Sequence, residues 1–217
     1  MVYSYGGAYY GPHAADYGNP ILYEANVKPE VWGFTPPENG YVNWSLQYAK
    51  SISDSFPLNS SVEYALTVSS DKKHYSLGGS VTYDVGANGV PEQMVMEGLV
   101  TYDYATQKFD NVTQPPPYRL MGEAHFLPNY GVEGVLLFFG GRDPVDRSVK
   151  SLNIAALDTV QVYDIHTDTF HIQTTTGVSP EGRFTSCSVG VSNAQNSSYE
   201  MYVLFVPVIP HFPLSKL

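Results

Sequence analysis

Pairs of adjacent glycines end three short aromatic or aliphatic runs in this chain: VYSYGG closing at Gly6-Gly7, HYSLGG at Gly78-Gly79 and LLFFGG at Gly140-Gly141. Glycine inside or at the end of a strand costs stability. A recurring pair therefore marks places where the backbone needs a positive φ or the absence of a side chain. The pairs are 72 and 62 residues apart, so the repeating unit is long and its loops vary in length.

Two further landmarks keep step with the glycines. LVTYDYATQKF places Tyr102-Asp103 23 residues after Gly79, and VQVYDIHTDTF places Tyr163-Asp164 22 residues after Gly141. In both, an aromatic residue, Phe109 or Phe170, follows the tyrosine by seven positions. A proline-x-x-arginine run then closes the unit, at Pro116 to Arg119 and again at Pro180 to Arg183. The first unit echoes this more faintly, with Tyr23-Glu24 and Trp32 nine residues after the tyrosine, and SISDSFPLNSS stands where its proline-arginine run is due.

Period-two alternation in VQVYDI and FHIQTTT predicts strands, and the aspartate after each tyrosine supplies the turn between two antiparallel ones. In the third unit the strands are expected near 121–127, 134–139, 157–164 and 170–175. No fifteen-residue window carries a helical apolar face. The abundance of Tyr (18), Gly (19) and Pro (16) suits an all-β chain with many turns. A four-stranded sheet of about 60 residues cannot shield both of its own faces, so each must stack on a related neighbour.

The di-glycine, the Tyr-Asp pair, the later aromatic and the P-x-x-R lead resemble the kelch motif of the galactose-oxidase-like propeller class, over nearly the whole chain. The resemblance implies an all-β, kelch-type β-propeller segment with two complete four-stranded blades and a partial blade at each end. The expected boundaries are 1–54 for a partial blade, 55–119 and 120–183 for complete blades, and 184–217 for a truncated blade with an aberrant tail. By phase, glycines are due near 206 and 207, where Val206 and Pro207 stand. The expectation is therefore a fragment of a longer ring. The resemblance also implies that the glycines end the second strand of each blade, and that Tyr102, Tyr163, Phe109 and Phe170 pack between blades.

A net charge of −10, with only 11 lysines and arginines, would repel a phosphate backbone, so nucleic acid is not an expected partner. The longest apolar tract, MYVLFVPVIP, is too short to span a bilayer. The single cysteine, Cys187, excludes an internal disulfide or a cysteine-based zinc site, and in TSCSVGV it reads as a small buried hydrophobe. Sequons at Asn43, Asn59, Asn111 and Asn196 leave the compartment open between a secreted or membrane-anchored parent and a cytoplasmic one in which they are accidental.

No nucleophile elbow, P-loop or HExxH motif occurs, and no cofactor or metal set is expected. His166 and His171, on a turn and the strand after it, do not converge. The expected function is a scaffold for protein–protein interaction through the long loops between second and third strands, about 8–19, 80–97 and 142–156. The contact candidates are Tyr9, Tyr10, His13 and Tyr17 in the first loop, and Arg142 and Arg147 in the third, with Asp143 and Asp146 restraining the arginines. The alternative is part of an oxidase or carbohydrate-active propeller whose catalytic residues lie outside this chain.

Overall fold

A computed structural model describes residues 2–5, 30–35, 43–48, 51–52, 62, 64–83, 92–112, 118–145, 149, 152–193, 195 and 197–205. Among these, strands connected by turns account for all the regular structure. The first sheet is antiparallel and three-stranded, with β1 (Val2–Tyr5), β2 (Glu30–Thr35) and β3 (Asn43–Tyr48) in that spatial order.

The second blade joins β5 (Leu66–Ser69), β6 (Lys73–Leu77), β9 (Leu99–Asp103) and β10 (Lys108–Val112), consecutive neighbours being antiparallel. Its outer edge carries a fifth, parallel strand, β4 (Ser51–Ile52), set opposite Lys108 and Phe109. Residues 51–52, grouped by sequence with the first unit, thus extend the second blade. Between β6 and β9 the chain forms a two-stranded ribbon, β7 (Ser80–Tyr83) with β8 (Glu92–Val95).

The third blade repeats the plan with β11 (Glu123–Leu127), β12 (Val135–Phe139), β15 (Thr159–Asp164) and β16 (Thr169–Thr174). Its ribbon is β13 (Arg142–Pro144) with β14 (Leu152–Ile154). Every expected strand of this unit is present to within two residues. A fourth unit contributes the hairpin of β17 (Ser186–Ser192) and β18 (Tyr199–Phe205).

Blade three is apolar on both faces because it has a neighbour on each. Leu136, Phe138 and Tyr163 pack with Leu66, Tyr75, Leu77 and Leu99 of the second blade. The alternate residues Leu137 and Phe139, with Leu127, pack against Tyr199 and Val203 of the fourth unit. Period-two alternation therefore divides each strand between two interfaces, which is why VLLFF reads as an unbroken apolar run. Each fully buried side chain of this size contributes about 1.5–3 kcal/mol, so these seams supply the main cohesion between blades.

The Tyr-Asp turns superimpose in chemistry as well as spacing. Tyr102 packs against Phe109 and Tyr163 against Phe170 as tilted ring pairs, each at 4.8 Å between ring centroids. Asp103 accepts the amides of Ala105 and Thr106, and Asp164 those of His166 and Thr167. Gln107 and Asp168 close the turns with φ of 55° and 53°. Burial raises the Tyr163 hydroxyl pKa, and its hydrogen bond to Asp168 reinforces the shift.

The first sheet corrects the faint echo in the sequence. Trp32 lies on β2, which pairs with β1 and so stands in the third-strand position. The strand that follows in the sheet is β3, where Trp44 is set opposite Phe34. That register matches Tyr102 with Phe109 and Tyr163 with Phe170. Phe34 and Trp44 are ten positions apart, which is why a seven-residue spacing does not reveal the pair.

Candidate functional site

The di-glycines answer the question the sequence raised. Gly78 and Gly79 have φ of 62° and 87°, and Gly140 and Gly141 have 62° and 86°, so two blades share one left-handed turn. A Cβ at Gly78 would collide with the carbonyl of Arg119, and one at Gly141 with the carbonyl of Leu120. The Gly79 amide donates to the Arg119 carbonyl at 2.9 Å, and the Gly141 amide to the Arg183 carbonyl at 2.7 Å. Each P-x-x-R arginine thus lies, through its backbone, against the di-glycine of the blade it leaves.

A second backbone contact recurs in step. Tyr64, Met121 and Thr185 precede the first strand of successive units with φ of 60°, 59° and 55°. The Met121 amide donates to the Tyr64 carbonyl at 2.8 Å, and the Thr185 amide to the Met121 carbonyl at 3.1 Å. Left-handed backbone outside glycine costs about 1–2 kcal/mol, and here one hydrogen bond per blade junction accompanies it.

Side chains join the blades as well. Arg119, 4% exposed, pairs with Asp143 of the third blade at 3.2 Å and also donates toward the Gly140 carbonyl. Burial lowers the guanidinium pKa and raises that of Asp143, while the pairing opposes both shifts. Removing one member leaves the other charge poorly solvated. Arg119→Met is expected to cost about 2 kcal/mol in urea unfolding, a value moderated by the 37% exposure of Asp143. A smaller loss is expected for Arg183→Met, whose pairing with Glu181 lies on the surface. Equal losses would contradict a clamping role for Arg119.

The seam between the third and fourth units holds a polar network that sequence reading missed. Ser186 and Ser188 donate to the two Glu123 carboxylate oxygens at 3.0 and 2.6 Å. His125 lies 2.7 Å from Ser188 through Nε2 and 3.1 Å from the Tyr199 hydroxyl through Nδ1. Ser188 has one proton, and it goes to Glu123. Nε2 therefore donates to the serine oxygen, and Nδ1 of the neutral ring accepts from Tyr199. A serine nucleophile needs the reverse flow, hydroxyl to imidazole, so this arrangement joins strands rather than activating an oxygen. Burial lowers the His125 pKa, opposed by Glu123.

Of the candidate contact residues, Arg142 is described. Its guanidinium lies 4.4 Å from the Phe184 ring centroid, and its backbone exchanges hydrogen bonds with Leu120. Asp143, expected to restrain Arg142, is committed to Arg119 instead. Tyr9, Tyr10, His13, Tyr17, Asp146 and Arg147 lie outside the described residues.

The second-to-third connections contain ribbons rather than only irregular loops. Both ribbons begin directly after a di-glycine, and their bases are tied alike, by the Met96 amide to the Gly79 carbonyl and the Ala155 amide to the Gly141 carbonyl. They therefore leave the same rim of successive blades. They expose apolar side chains there: Met94 at 37%, Val145 at 62% and Ile154 at 50%.

Cys187 is exposed, contrary to the buried position expected of it. It shares with Val189 and Val191 the face of β17 opposite Ser186 and Ser188, and no described strand covers that face. Among the sequons, Asn111 is buried and donates to the Glu97 carbonyl, a position closed to a glycan in the folded blade. His166 lies in a turn and His171 on β16 beside Thr169. No helix among the described residues is long and apolar enough to cross a membrane.

No family model matches the chain. A kelch repeat-containing protein of Arthroderma benhamiae is 25% identical over 178 residues, covering 79% of this chain and 22% of that protein. A solved structure titled Structure of YjhT is 12% identical, with a TM-score of 0.48, over 72% of this chain and 48% of that one. The chain thus spans about a fifth of the curated relative and about half of the solved chain. Two successive four-stranded blades with matching glycine, tyrosine and arginine contacts give this chain the blade plan of a kelch-type β-propeller, and its sequence is similar to that of a kelch repeat-containing protein.

Proposed function

We propose that these repeats act as a scaffold for protein–protein interaction, as part of a longer kelch propeller. The observation that carries this reading is the pair of ribbons, β7–β8 and β13–β14, which present exposed apolar side chains from one rim, while the Arg119–Asp143 pair and the network of Glu123, His125 and Ser188 join blade to blade. A rim of this kind offers contact surface on a rigid base. Tyr9, Tyr10, His13 and Tyr17 from the first connection, and Arg142 and Arg147 from the third, are the side chains proposed to complete it. Tyrosines on glycine-flanked loops give area and a hydroxyl at small entropic cost.

The test begins with a partner identified by cross-linking and then purified. The triple change of Tyr9, Tyr10 and Tyr17 to alanine is expected to weaken its binding at least tenfold, with the unfolding midpoint unchanged. Binding that survives this change, and also survives Val145→Lys with Ile154→Lys, would end the reading.

A further inference from the structure

Among the described residues, the two complete blades differ at their outer edges. In the second, β10 is covered by β4, which runs parallel with Ser51 and Ile52 opposite Lys108 and Phe109. The repeat-equivalent residues of the third blade are Thr169 and Phe170, and β16 is the last strand of its sheet among the described residues. Its final four residues are exposed, with Ile172 at 66%.

Natural sheets guard such edges with lysine, proline or a bulge, because unpaired backbone groups invite another strand. β16 has none of these: its residues TFHIQT pair with β15 in unbroken register from Thr159↔Thr174 to Asp164↔Thr169. Residues 158–174 carry three carboxylates, Asp158, Asp164 and Asp168, and no lysine or arginine.

We infer that the edge of β16, which no described strand covers, is a docking site for an extended, basic segment of a protein partner, which adds as a parallel fifth strand where β4 adds in the blade before. The molecule itself displays the geometry at the equivalent edge. The acidic surroundings select the sign of the charge, and Ile172 offers an apolar contact beside the new strand. This surface is distinct from the ribbon rim and does not depend on it.

The test uses a labelled seven-residue peptide alternating lysine and valine, with a glutamate-for-lysine counterpart, at pH 7.5 and low salt. The lysine peptide is expected to bind at least tenfold more tightly by fluorescence anisotropy and to slow amide exchange about fivefold within 169–174. Ile172→Lys with Gln173→Lys places two charges on exposed positions and is expected to weaken that binding at least tenfold, leaving exchange in β12 and β15 unchanged. Ile154→Lys on the ribbon rim is expected to leave it unaltered, which separates failure of this site from failure of the rim. Equal binding of the two peptides, protection confined to other strands, or a β16 edge already protected in the free protein would each overturn the inference.

Discussion

Gly78→Ala is expected to cost about 2–5 kcal/mol, against about 1–2 kcal/mol for Gly140→Ala, although the two glycines share a φ of 62°. The left-handed conformation penalises both equally. What differs is the space. At Gly78 the added methyl would overlap the backbone carbonyl of Arg119, and that carbonyl is held by the Gly79 amide. At Gly140 the nearest atom is the Arg183 carbonyl oxygen at 3.3 Å, which a small shift can accommodate. Urea unfolding of the two variants measures the difference. Equal losses would mean that φ alone, and not the approach of the next blade, requires these glycines.

Acid is expected to weaken the fold chiefly through His74. This ring is 9% exposed on β6, hydrogen-bonded to Ser69, and burial pushes its pKa down from 6.5 to about 4. Between those values the unfolded chain binds a proton that the folded one refuses. Stability is therefore full above pH 6.5 and falls as the pH drops toward 4, by about 3 kcal/mol. His125 shifts in the same direction and adds to the slope. Unfolding free energies at pH 7.5 and pH 4.5 should draw closer by half or more in His74→Gln than in the parent, whatever the variant's absolute stability. An unchanged gap would assign the acid sensitivity elsewhere.

The elements visible in the sequence were those set by local chemistry. LLFFGG, VQVYDI and FHIQTT carry their own strand period and turn residues, so the third blade could be laid out residue by residue. The first unit is harder to align because its third-strand aromatic, Phe34, and Trp44 are ten positions apart instead of seven, and spacing is all that a lone sequence offers there. The seam formed by Glu123, His125, Ser188 and Tyr199 was invisible for another reason. His125 and Ser188 are 63 positions apart, and nothing in either short run names its partner. Cys187 shows a third limit. Alternation on β17 splits the strand into two faces correctly, but which face meets a neighbour is decided by the packing of whole blades.

The hydrogen bonds linking Tyr64, Met121 and Thr185 use amides and carbonyls alone, and three unlike side chains occupy the position. Such a coupling is indifferent to sequence, and each middle unit offers both halves of it. Duplication or loss of a whole unit would leave the remaining couplings chemically intact, so this architecture can change its length over evolution without any new mutual adaptation at that joint.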